Sequence, residues 1–259
     1  VVFCILMLAG FGAGEIFAAA KKPLPKPLRA LLITGGCCHD YVKQKDILKQ
    51  GLERRLNIVI VHAHSPNKST KPPLAIYGNA DYAKGFDLVI HDECSAGVSD
   101  PKIIAGVLAP HRKGVPGVNL HCAMHSYRFG NFRAKVKLSD SNAKWFEYIG
   151  IQSTGHGPQQ PIELAFENNV PFITKGVKDW TTQREELYNN VQVFPTAKVV
   201  AQRQECFPAH GGIAGHPARR AGEKLLTKIG WALGMVQFFG RRASETVRGY
   251  VEDAYSENT

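Results

Sequence analysis

The chain has 259 residues, 44% of them hydrophobic, enough to bury a full core and at the upper end of what one domain holds. Its 32 Lys and Arg against 22 Asp and Glu leave a net charge of +10, a surplus that invites a nucleic-acid reading. The basic residues are scattered, however, through Lys43 to Arg55, Arg128 to Lys144 and Arg219 to Lys228, without interleaved aromatics on which bases stack, so no nucleic-acid partner is expected.

Val1 to Ala20 is almost continuously apolar, broken only by Glu15, and ends in Ala18-Ala19-Ala20 before Lys21-Lys22. That small-residue ending predicts a signal peptide over residues 1–20, export to the periplasm or beyond, and no stable membrane insertion once it is cleaved. An uncleaved anchor is the alternative, since about 20 apolar residues span a bilayer. Residues 21–27, with Pro23, Pro25 and Pro27, read as a stiff linker. Six cysteines less Cys4 of the export segment leave five, an odd number that speaks against a disulfide framework, although Cys37 or Cys38 could pair with Cys94 or Cys122 if strand ends converge.

Leu28 to Thr34 reads as a strand running into Gly35-Gly36-Cys37-Cys38-His39-Asp40-Tyr41. Val42 to Leu56 carries Ile47, Leu48, Leu52 and Leu56 at helical spacing, and Asn57 to His62 is the next strand. After a loop over residues 65–73, Phe86 to Ile90 is a strand running into His91-Asp92-Glu93-Cys94. Asp100-Pro101 caps and opens a helix through Leu108, with its stop at Pro110. Val115, Val118 and Leu120 form a short buried strand that ends in His121-Cys122-Ala123-Met124-His125. Such alternation predicts βαβ units, hence a mostly parallel sheet with helices on both faces. Further on, Trp145 to Ile149 is an apolar cluster, Ser153 to Pro158 a loop, Ile162 to Phe166 a strand, Thr182 to Asn190 a short acidic turn of helix, and Val191 to Ala201 a strand around Pro195. Residues 28–201 are thus read as one α/β domain. In residues 202–259 Leu225, Leu226, Ile229, Leu233 and Val236, then Val247, Tyr250, Val251 and Ala254, repeat at helical spacing, predicting an atypical, helical or partly disordered segment.

Three strands that each discharge His, Cys or acid at their carboxyl ends would converge those groups on one rim, where ligands bind in open α/β sheets. His39, Asp40, His121 and His125 are the candidate catalytic residues, one imidazole serving as general base because its ordinary pKa lies near neutrality. Tyr41, Glu93, Thr154, His156 and Trp180 are candidate substrate contacts. His121, His125 and His156 also offer nitrogen ligands for a divalent metal such as zinc, with His39, Asp40 or Glu93 as further donors.

With these segments in hand, the chain resembles the ThuA-like (trehalose-utilisation) family, whose fold is similar to the class I glutamine amidotransferase domain. The resemblance rests on Leu32-Ile33-Thr34-Gly35 followed by His39-Asp40-Tyr41, on His121-Cys122-Ala123-Met124-His125, on Ser153-Thr154-Gly155-His156-Gly157-Pro158, and on Ile173-Thr174-Lys175-Gly176 leading to Asp179-Trp180 and Glu185-Glu186-Leu187-Tyr188. It spans roughly residues 28–201 and implies a flavodoxin-like three-layer α/β/α domain, a link to carbohydrate metabolism and a small-molecule carbohydrate as partner. Glutaminase chemistry is not expected. Those enzymes flank the nucleophilic Cys with small glycines and follow it with His-x-Glu, whereas Cys122 lies between His121 and Ala123, and His91-Asp92-Glu93 precedes it. The alternative to catalysis is a carbohydrate-binding rim on which Trp145, Tyr148 and Trp180 stack against sugar faces.

Overall fold

In a computed structural model, the structure describes residues 25–167, 171–203 and 235–237. The expected export segment and most of residues 202–259 lie outside the described residues. No described helix is long and apolar enough to cross a membrane.

Strand β1 (Leu28–Gly36) is buried from Ala30 onward, as a strand flanked on both sides and covered on both faces must be. Helix α1 (Tyr41–Glu53) follows, its first turn capped by the Asp40 carboxylate, which accepts from the Lys43 amide. Then come β2 (Ile58–Ser65), β3 (Leu88–Cys94), α2 (Pro101–Arg112) and β4 (Gly117–Asn119), the last running into a 3₁₀ turn, His121–His125. These strands form a parallel sheet in the order β2-β1-β3-β4, so the chain reverses its direction of growth between β1 and β3. Leu48 and Leu52 of α1 cover Ala30, Leu32, Ile60 and Ile90 on one face. On the other, Leu31, Ile33 and Val89 meet Tyr82 and Ala83, while α2 packs on α3 (Lys144–Ile149) through Ile104, Val107, Leu108, Trp145 and Phe146. Each large apolar side chain sealed this way contributes about 1.5–3 kcal/mol. This is the α/β architecture expected, a mostly parallel sheet between helical layers.

The remaining elements are β5 (Ile151–Gln160), β6 (Glu163–Phe166), α4 (Pro171–Thr174), β7 (Trp180–Thr181), β8 (Glu185–Val193), β9 (Ala201–Arg203) and β10 (Met235–Gln237). Here the structure corrects several local expectations. Ser153 to Pro158 is strand rather than loop, paired antiparallel with β8 through register shifts that accommodate Gly155 and Gly157. Thr182 to Asn190 is not helical, because β8 finds its partner in β5 and buries Leu187 and Tyr188. Pro195 lies in a turn after β8 rather than within a strand. Helix α2 runs through Pro110 to Arg112, since a proline so near the end removes a single hydrogen bond. Val236, expected on a helix, sits on β10 and pairs antiparallel with Val118 at the β4 edge. Strands β6, β7 and β9 make a separate antiparallel sheet.

Candidate functional site

Strand β1 ends on two glycines that only glycine can supply. Both have positive φ, and a Cβ on Gly36 would lie 2.2 Å from the Cys94 carbonyl oxygen. That close approach lets the end of β1 fold onto the end of β3 and sets Cys37 Sγ 3.4 Å from Cys94 Sγ. The next residue, Cys38, is exposed and takes φ +84°, a backbone conformation rare outside glycine.

His39 follows, half-buried, with Nε2 3.1 Å from Cys122 Sγ and its ring 4.2 Å from that of His121. His121 leaves β4 at φ +45° and pairs through Nδ1 with the Tyr188 hydroxyl. Burial, then the charges of His39 and His156, lower its pKa to about 3, so it is a neutral imidazole at ordinary pH. Glu186, two residues before Tyr188 on the same face of β8, sets Oε2 4.0 Å from His121 Nε2 and 3.5 Å from His156 Nε2. His156 is half-exposed and donates from Nδ1 to the Gly157 carbonyl. His125 is buried beneath the rim, bonded to Ser153 Oγ at 2.9 Å, and burial, then the Arg128 charge, lower its pKa to about 3.

The rim thus brings His39, His121 and His156 near one another, with His125 behind them. The other expected residues are placed differently. Asp40 caps α1 and pairs with Lys43, which holds its carboxyl below the usual range. Thr154 donates to the Asn189 carbonyl on β8. Tyr41 is 4% exposed against Cys94 and Cys122. Trp180 is exposed on β7, in the separate sheet. Glu93 is fully buried: β3 continues through Cys94, so alternation turns His91 and Glu93 into the α2–α3 side of the core and Asp92 and Cys94 to the α1 side. Glu93 Oε1 there accepts from Tyr77 and Tyr127 and meets His91 Nδ1, which puts it out of a substrate's reach. Trp145 and Tyr148 are core residues, 1% and 5% exposed, not stacking platforms.

Glu186 and Tyr188 are the residues that sequence reasoning missed. Their signal was present in Glu185-Glu186-Leu187-Tyr188, but read as helical it could not show that both side chains share one strand face. Among the described residues, the groups whose ligand atoms all lie within 4.8 Å of one another are His39, His121 and Cys122, and Cys37, Cys38 and Cys94. The expected trio of His121, His125 and His156 is not such a group, because His125 and His156 are turned to Ser153 and Gly157. A cavity of about 980 Å³ beside the end of α2, lined by Leu108, His111, Leu138, Tyr148 and Phe194, contains none of the rim residues.

No family model matches the chain, and no curated protein matches it. Among solved structures, a provisionally named ThuA-like protein from Bacteroides uniformis is similar over 72% of this chain and 72% of its own length, at 12% identity and a TM-score of 0.47. So slight a likeness assigns no residue a role.

Proposed function

We propose that this is a ThuA-like domain whose strand-end rim binds and transforms a sugar or sugar derivative in carbohydrate metabolism. The observation that carries the chemistry is a neutral imidazole, His121, held by the Tyr188 hydroxyl and backed by the Glu186 carboxylate at the carboxyl end of a parallel sheet. His121 is the proton acceptor, a weak base at a pKa of about 3 that needs the Glu186 carboxylate beside it. Glu186 stabilises the imidazolium formed by proton transfer, and His39, His156 and Tyr188 offer hydrogen bonds to substrate hydroxyls. The sugar class rests on the sequence resemblance. Metal assistance is a second reading, favoured by the closeness of the His39, His121 and Cys122 ligand atoms, which suit a divalent ion such as zinc. The stacking alternative is less well supported, as only Trp180 of its three aromatics is exposed.

Calorimetric titration with mono- and disaccharides, followed by turnover assays on those that bind, tests the proposal. Binding heat should vanish in His121→Ala and Glu186→Gln while the melting temperature moves little. No heat from any sugar, or heat unchanged in both variants, overturns it.

A further inference from the structure

The thiols of Cys37, Cys38 and Cys94 occupy a place that the sugar chemistry does not use. They lie at the crevice between β1 and β3, where the strand order reverses and where open α/β sheets bind their ligands. Their three sulfurs fall within 4.8 Å of one another, and the Cys37–Cys94 pair is 3.4 Å apart. Zinc–sulfur bonds of about 2.3 Å in a tetrahedral site put sulfurs about 3.8 Å apart, inside that range. One further group faces the cluster. The Tyr41 hydroxyl is buried against Cys94 and Cys122 without a hydrogen-bond partner, which is costly unless something completes it.

We propose that Cys37, Cys38 and Cys94 form a binding site for a thiophilic d¹⁰ cation, zinc, with Tyr41 as outer donor to the sulfurs and the fourth position facing solvent beside Cys38. Binding replaces three S–H protons by one Zn²⁺: three thiols release three protons, no electrons move, and the three-thiolate complex carries one net negative charge beside the solvent-facing fourth position. The three thiols crowd one another, and without a cation burial and their neighbours push the Cys38 pKa up to about 12, so the cluster stays protonated until a metal takes the protons' place. The site is separate from the His39, His121 and Cys122 group and stands whether or not the rim binds a sugar.

The test uses the whole reduced, metal-free protein, titrated with Zn²⁺ against a chromophoric chelator and then with Co²⁺, whose thiolate charge-transfer absorption reads sulfur ligation. One equivalent of zinc should bind, with proton release and an intense cobalt–thiolate band. The band should be lost in Cys37→Ser/Cys38→Ser. Tyr41→Phe should keep the band and weaken zinc about 10- to 100-fold. His39→Ala and His121→Ala should leave both zinc affinity and band unchanged. The inference is overturned by a reduced protein with no cobalt–thiolate band, by a band that survives the double serine variant, by loss of zinc in His39→Ala, or by a Cys37–Cys94 disulfide whose reduction yields no zinc affinity.

Discussion

Two histidine clusters in this domain are built from the same residue types and behave as opposites. In the core, His91 Nε2 meets His111 Nε2 at 2.9 Å, His111 Nδ1 donates to the Val115 carbonyl, and His91 Nδ1 meets Glu93, which also accepts from Tyr77 and Tyr127. Burial pushes the Glu93 carboxyl up, but the His91 charge and these donors outweigh it and hold it below the ordinary range. At the rim, His121 and His156 flank one carboxylate, Glu186, with graded exposure, and His39 lies against His121 with the Cys122 thiol alongside. A sealed network whose main donors and acceptors answer one another stabilises. An open one, with directed groups left for a ligand, works. The difference comes from strand alternation: β3 carries His91 and Glu93 inward, whereas the chain leaves β1 and β4 just before His39 and His121.

Breaking each carboxylate in turn should separate the two clusters most sharply. Glu93→Ala leaves two tyrosine hydroxyls and an imidazole buried without their acceptor, so urea unfolding should report a loss of about 3–5 kcal/mol. Glu186→Gln should cost under about 1 kcal/mol, because its pairs with His121 and His156 are long and partly solvated. Equal costs for the two variants would erase the distinction between core and rim.

Acid should strike both clusters by one mechanism. Burial first, then neighbouring charges, lower the pKa values of His111, His121 and His125 to about 3 in the folded protein. Below the ordinary histidine value of about 6.5 the unfolded chain therefore binds more protons than the folded one, and stability is lost as pH falls from about 6.5 towards 3. Asp92 opposes this, since burial, then Glu93, raise its pKa and its contribution grows as pH falls. Three histidines outweigh one carboxyl, so a net loss of about 3 kcal/mol by pH 4.5 would lower the melting temperature by roughly 6–12 °C. A melting temperature flat between pH 7 and pH 4.5 would contradict the burial of these rings.

The parallel sheet was legible because its signals are local. Asp100 announces a helix start, and β1 and β2 are apolar runs bounded by turns. What was hidden depends on distant partners. Nothing near Glu185 reveals that β5 waits to pair with it, so Glu186 and Tyr188 could not be placed at the rim. Asp92 and Cys94 look like the polar end of a strand until the adjoining β1 shows that β3 continues. The thiol cluster was visible only as a conditional pairing, because its closeness depends on Gly36 lying against the Cys94 backbone, a contact with no signature in the spacing.

Gly36 offers a smaller perturbation of the rim alone. Replacing it by Ala forces a side chain into φ +103° and against the Cys94 carbonyl, so β1 and β3 must part at their ends. The expected cost is about 1–3 kcal/mol, with a weaker cobalt–thiolate band as Cys37 moves from Cys94. A Gly36→Ala protein as stable as its parent would show that the strand ends do not need this contact.

The smallest expected effect is none, and it concerns Cys122. The thiol is 7% exposed, and its contact with His39 at 3.1 Å has the reach of a nucleophile and its base. Presentation is what it lacks. In a nucleophile elbow the strained residue at the turn carries the reactive atom outward, whereas here the positive φ falls on His121, one residue earlier, and Cys122 packs inward with Tyr41 and Cys94. Glutamine should therefore not be hydrolysed, and Cys122→Ser should change nothing in an ammonia-release assay. In timed alkylation of the native protein near neutral pH, Cys122 should be modified far more slowly than after unfolding. Rapid stoichiometric labelling of Cys122, or ammonia release that disappears in Cys122→Ser, would show that the His39 contact activates a nucleophile and that this end of the rim is the catalytic one.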